Sequence, residues 1–134
     1  GDRVEIDPSA FLGRKRITQE GALRLPWNSE LRSPPILLTE GRYEVALVTK
    51  GTEAKGANAL FRVQFGDERQ VGEFYSQEAF QETRLDLEIA KDKEASLIVS
   101  FVNDTAEKND AGEIVADRNA WIQSVAIVKV ERLP

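Results

Sequence analysis

Two absences narrow the chemistry open to this chain before any pattern is read: its 134 residues include no cysteine and no histidine. Without cysteine there is no disulfide, thiolate nucleophile, iron–sulfur cluster or cysteine-based zinc site. Without histidine the usual general base near neutral pH is missing, and with it every Ser–His or Cys–His dyad. Neither a GxGxxG nor a GxxxxGK[ST] pattern occurs, so no phosphate-cradling loop can be placed. Paired-carboxylate chemistry of the glycosidase kind stays open on composition. No apolar run approaches the roughly 18 residues of a membrane span, and no membrane partner is expected. The net charge is −5, and the one compact basic stretch, "GRKR", is too short to follow a phosphate backbone, so nucleic acid is not an expected partner. No N-terminal succession resembles a signal peptide, yet the opening "GDRVEID" reads as a piece excised from a longer, multidomain protein. Lack of cysteine leaves the compartment undetermined.

What is present is ordinary for a globular domain, with 41% hydrophobic and 31% charged residues, and the length suits one domain over residues 1–134. Short β-like runs follow one another with almost nothing helical between them. "RVEI", "ALRLP", "ILL" and "EGRYEVALVTKG" are strand candidates, whereas "WNSELRSPP" reads as a loop because Pro34 and Pro35 remove two backbone donors. In "ALFRVQFGDERQVGEFY" a Gly-Asp turn separates two strands. "FQETRLDLEIAKDKEASLIVSFV" repeats the pattern with "KDKE" as the turn, and "AWIQSVAIVKV" closes the series. Period-two alternation predicts a core of Tyr43, Val45, Leu47, Phe61, Val63, Phe65, Leu97, Val99, Phe101, Val125 and Ile127. About eight to ten strands at this spacing predict an all-β fold, an antiparallel β-sandwich of jelly-roll type.

The connection between the last two long strands concentrates oxygen donors: Asn103, Asp104, Glu107, Asn109, Asp110, Glu113, Asp117 and Asn119. Calcium takes six to eight oxygens from carboxylates, amides, carbonyls and water, and this loop offers each protein-derived type. Its spacing is not that of an EF-hand. Asp, Asn and Gly also favour turns for purely conformational reasons, so composition alone favours a solvated loop.

The motifs shift that balance. The segment "FVNDTAEKNDAGEIVADRNAWIQSVAIVKV" resembles the closing segment of the calcium-dependent xylan-binding carbohydrate-binding modules of families 36 and 60, in which F-x-N-D runs through a variable loop into D-R-N and an aromatic-containing last strand. The likeness extends upstream through "LTEGRYEVALVTKGTEAKGANALFRVQFGDERQVGEFY" and spans residues 38 to 130. It implies a non-catalytic jelly-roll module whose bound calcium (Ca2+) captures a polysaccharide, a xylan-like or other plant or algal glycan, with sugar hydroxyls completing the metal shell. It also implies an extracellular or cell-surface parent protein. The matching carboxylates are Asp104 and Asp117; Asp110 and Glu113 fall in the variable stretch and are weaker ligand candidates. Asn103 and Asn119 either ligate or brace the turn. The carbohydrate-facing candidates are Trp27, Asn28, Trp121 and Arg118. Trp27 in its Pro-bounded loop suits stacking on a sugar face, and Arg118 would pair with a loop carboxylate or lie free on the surface. Trp121 shares the alternation of Val125 and Ile127, so a core position outweighs a sugar platform. Ile6-Asp7 and Gln123 stand where such modules hold a second, structural calcium, and weaken the case for it here. The alternative function is a structural spacer or protein-contact sandwich that has lost glycan binding.

Overall fold

The structure, a computed structural model, describes residues 3–130. Among the described residues fourteen strands follow in order: β1 (Arg3–Ile6), β2 (Arg16–Ile17), β3 (Leu23–Leu25), β4 (Ser29–Arg32), β5 (Ile36–Leu38), β6 (Gly41–Gly51), β7 (Leu60–Phe65), β8 (Arg69–Tyr75), β9 (Gln81–Ile89), β10 (Lys93–Ala95), β11 (Leu97–Phe101), β12 (Ala106–Lys108), β13 (Ile114–Asp117) and β14 (Ala120–Val130). The only helical element among the described residues is a 3-10 turn at Pro8–Ala10, capped by Asp7, whose carboxylate accepts from the Ser9 backbone N–H. No helix among them is long and apolar enough to cross a membrane.

All pairings are antiparallel. One sheet runs β2–β3–β14–β6–β9, with β1 beside the second half of β14, and the other runs β4–β11–β7–β8. The Ser33–Pro35 break separates β4 from β5, which continues the pairing with β10 as a short ribbon. The sandwich is therefore the antiparallel jelly-roll-type fold that the alternation predicts. Every residue of the predicted core is buried, and the buried side chains form one cluster between the sheets. Phe61 anchors it, stacked on Phe74 at 5.4 Å between ring centroids and tilted against Phe101 at 6.4 Å. Burying such a ring contributes about 1.5–3 kcal/mol.

Three local expectations are corrected. The stretch read as a loop before the proline pair contains β4, because Ser29 and Leu31 turn inward and pair through the backbone with β11; the prolines end the strand without preventing it. The stretch between Asn103 and Asn119 is a β-hairpin, β12–β13, with its tip at Asn109–Gly112. Asn109 makes that turn, its side-chain oxygen accepting from Ala111 and Glu113 N–H, both at 3.0 Å. The third correction concerns β14. Its register against β6 slips between Ile122 and Ser124, and this bulge reverses the inside-outside alternation. Ile122 is thus core, while Trp121 faces outward on the opposite side from Val125 and Ile127 and is only half-buried.

Candidate metal centre

The connection from β11 to β14 begins at Asn103 and returns at Asn119, so the hairpin's base lies at one rim of the sandwich. The rung Ala106↔Asp117 closes that base and brings Asp117 back toward Asp104. Asp110 and Glu113 are at or beside the exposed tip. The tip lies three to four residues beyond the closing rung, on the order of 10 Å at the usual strand rise. The fold thus brings Asp104, Asp117 and Asn119 together and does not bring Asp110 or Glu113 to them.

A buried polar network holds the base. Arg118 is 6% exposed. Its Nε donates to the Ala57 carbonyl at 2.9 Å, and its Nη1 and Nη2 donate to the carbonyls of Asn103 and Ala54. It makes no ion pair with a loop carboxylate and is not on the surface, because one planar fork satisfies carbonyls from the β6–β7 loop and the hairpin base at once. Arg118 is a strut in this fold, buried with three of its N–H groups on backbone carbonyls. Asn103 is engaged likewise: its Oδ1 accepts from Leu60 N–H at 2.7 Å, and its Nδ2 donates to the Asn58 carbonyl at 3.0 Å. It braces the turn. Asn58 donates to the Gly51 carbonyl and accepts from Ala59 N–H and Ser76 Oγ. A Cβ on Gly51 would meet Asn58 Oδ1 at 2.3 Å and Ser76 Oγ at 2.4 Å, so the network packs here only against a glycine.

The remaining oxygens are unsatisfied. Asp104 Oδ1 and Asn119 Oδ1 are buried acceptors with no hydrogen-bond partner among the described residues. Asp117 lies beside Asn119, its Oδ2 3.5 Å from Asn119 Nδ2, and the Arg118 N–H bond to the Thr105 carbonyl at 2.9 Å sets its segment alongside that of Asp104, on which its charge acts. Partial burial, and then the nearby negative charge of Asp117, hold the Asp104 carboxyl above its ordinary range; the Thr105 backbone N–H and the charge of Arg118 pull the other way. Buried acceptors of this kind are rare and costly, about 1–3 kcal/mol each. A cation bound at Asp104 would satisfy its unpartnered oxygen and also relieve the repulsion between the carboxylates. The donor set is two carboxylates and one amide, all hard oxygens that suit calcium. No cluster of three or more acidic side chains forms among the described residues, so a calcium here would draw the rest of its shell from backbone carbonyls, water or a ligand's hydroxyls.

Two further groups of residues complete the rim. The Asn28 side-chain oxygen accepts from Asp104 N–H at 2.7 Å, which ties the Trp27–Asn28 turn to the candidate ligand. Trp27 is half-buried, with the Arg14 guanidinium 3.8 Å from its ring centroid. Thr52, which the sequence reading did not single out, donates from Oγ1 to the Asp117 carbonyl at 2.6 Å and accepts from Asn119 N–H at 2.9 Å. Nothing in a lone threonine before a glutamate marks such a role; it exists because β6 ends against the start of β14.

No protein-family model matches the sequence, and no curated protein matches it significantly. Solved structures do. The C-terminal family 6 carbohydrate-binding module of LamC, a marine laminarinase from Zobellia galactanivorans, aligns over 95% of this chain and 99% of its own with a TM-score of 0.66 and 12% identity. The first family 36 module of a multidomain xylanase from the hindgut metagenome of Trinervitermes trinervoides aligns over 97% and 99%, with a TM-score of 0.61 and 14% identity. A family 6 module of the Cellvibrio mixtus lichenase 5A, solved with cellotriose, aligns over 96% and 98% with a TM-score of 0.58 and 8% identity. At these identities the likeness shows the fold: the antiparallel β-sandwich of carbohydrate-binding modules.

Proposed function

We propose that this chain is a non-catalytic, calcium-dependent glycan-binding module. The observation that carries the reading is the pair of buried, unpartnered acceptors, Asp104 Oδ1 and Asn119 Oδ1, beside the Asp117 carboxylate at a sandwich rim. Calcium held there would neutralise the two carboxylates and leave open positions for vicinal sugar hydroxyls, so that binding needs no general acid or base. Asn28 fixes the Asp104 backbone, and Trp27 in the same turn presents an indole on which a sugar ring can rest. The fold supports the glycan assignment, since its structural neighbours include modules of a laminarinase, a xylanase and a lichenase. A xylan-like or other plant or algal polysaccharide, a multidomain parent protein and an extracellular or cell-surface setting belong to the same proposal. Calorimetric titration of a polysaccharide panel in calcium and in chelator tests it. Binding should require calcium, Asp117→Ala should abolish it while the sandwich stays folded, and Trp27→Ala should weaken it by roughly tenfold, the share of one aromatic contact. Equal binding by Asp117→Ala and wild type would overturn the calcium-bridged mechanism. Loss of all glycan binding in both conditions would leave the spacer or protein-contact role as the better account.

A further inference from the structure

The outer face of the β2–β3–β14–β6–β9 sheet carries its charge unevenly. Over one half several cations are matched: Arg3 pairs with Glu5 at 3.1 Å, and Arg84 pairs with Glu44 at 3.3 Å and with Glu82, although Arg42 forms no ion pair among the described residues. Near the rim they are not. One rung crosses four strands, with Arg16 opposite Arg24, Arg24 opposite Trp121 and Trp121 opposite Lys50. The strand neighbours Leu23, Leu25, Thr49, Ala120 and Ile122 are all buried, so Arg24, Lys50 and Trp121 point outward.

Aromatic rings alternate with these cations. Lys50 Nζ lies 4.9 Å from the Trp121 centroid and 4.7 Å from that of Phe80, and Arg24 lies 5.9 Å from Trp121. Trp27 adjoins the far end, with Arg14 at 3.8 Å and Arg16 at 5.3 Å. In a protein of net charge −5, none of Arg14, Arg16, Arg24 and Lys50 forms an ion pair among the described residues. Arg24 Nε is moreover buried without a hydrogen-bond partner. Like charges directly opposite each other, as Arg16 and Arg24 are, destabilise a sheet. Protection of an exposed edge accounts for Arg16 on the two-residue β2 but not for Arg24 and Lys50 on interior strands.

We propose that this row is a second docking face, independent of calcium, for an anionic polysaccharide bearing carboxylate or sulfate groups. The Trp121 indole and Phe80 take the apolar faces of sugar rings, and the neighbouring guanidinium and ammonium groups take the acid groups. Three inter-strand steps span ~14 Å, enough to lie along an extended oligomer. The choice of a saccharide as the polyanion rests on the function proposed above; the unmatched positive charge does not.

The test is calorimetry entirely in chelator, which keeps it independent of the rim calcium. The probes are an oligogalacturonate, a sulfated oligosaccharide, a neutral xylo-oligosaccharide and a single-stranded DNA oligomer, at low and high salt. The expected result is that at least one acidic sugar binds more tightly than the neutral one and loses affinity as salt rises. The Arg24→Gln/Lys50→Gln pair should lose at least tenfold, while Arg24→Lys/Lys50→Arg retains most of the affinity. Equal binding of acidic and neutral sugars by the wild type, or undiminished binding by the Gln pair, overturns the proposal. DNA binding tighter than either acidic sugar overturns the saccharide assignment. Should the Gln pair fail to fold, the wild-type comparison decides. A positive result in chelator together with no calcium response would sink the rim mechanism and keep this face.

Discussion

Replacing Asp104 by asparagine should change stability with opposite signs in chelator and in calcium. In the metal-free protein Asp104 contributes a partly desolvated carboxylate beside Asp117, with Oδ1 buried and unpartnered. Asp104→Asn keeps the shape and the oxygen that can accept from Thr105 but removes the charge, so the repulsion disappears. The gain in chelator should be on the order of 1 kcal/mol, the size of one poorly satisfied polar contact. In calcium the comparison reverses. A ligand that binds only the native state adds RT ln(1 + [L]/Kd), ~2.7 kcal/mol at a hundredfold excess over Kd. For a domain of this size each kcal/mol moves Tm by about 3–4 °C. Wild type should therefore melt ~8–11 °C higher at that calcium excess than in chelator by the same relations. The variant should show little or no such shift. Scanning calorimetry of both proteins, in chelator and across millimolar calcium, makes the measurement. A wild-type Tm that ignores calcium, or a variant displaced by the same amount in both conditions, would refute the reasoning.

Other outcomes follow from the same geometry. Arg118→Met should destabilise the fold by about 3–5 kcal/mol equally in calcium and chelator, because it strips the donor from three backbone carbonyls; chemical denaturation reads this directly, and a loss seen only in calcium would mean that the guanidinium serves the metal. Asp110→Ala and Glu113→Ala sit at or beside the hairpin tip and should leave calcium affinity within about twofold of wild type, as a surface change away from the site would. A large loss from either would place the metal farther out along the hairpin than the unpartnered oxygens indicate.

The sequence by itself determined the sandwich. Alternation between charged and apolar residues at period two assigns Tyr43, Val45 and Leu47 to one face of a strand whatever that strand pairs with, because successive side chains on an extended backbone point in opposite directions. The two carboxylates at the ends of one connection, Asp104 and Asp117, were also legible, since both lie in motifs that flank the variable stretch. Tertiary structure decided the rest. Whether a strand keeps its parity depends on whether its partner matches it residue for residue. The bulge between Ile122 and Ser124 arises only when β14 is laid against β6, and it carries Trp121 from the expected core to the outer face. The side-chain oxygens of Asn103 and Asn119 look equivalent in the sequence. Only the approach of Leu60 N–H engages the one, and the absence of any donor among the described residues leaves the other without a partner. Arg118 reads as a surface charge until the β6–β7 loop, more than fifty residues earlier in the chain, offers two of the carbonyls that bury it. A hydrogen bond needs its partner in place, and which partner arrives is a property of the folded chain.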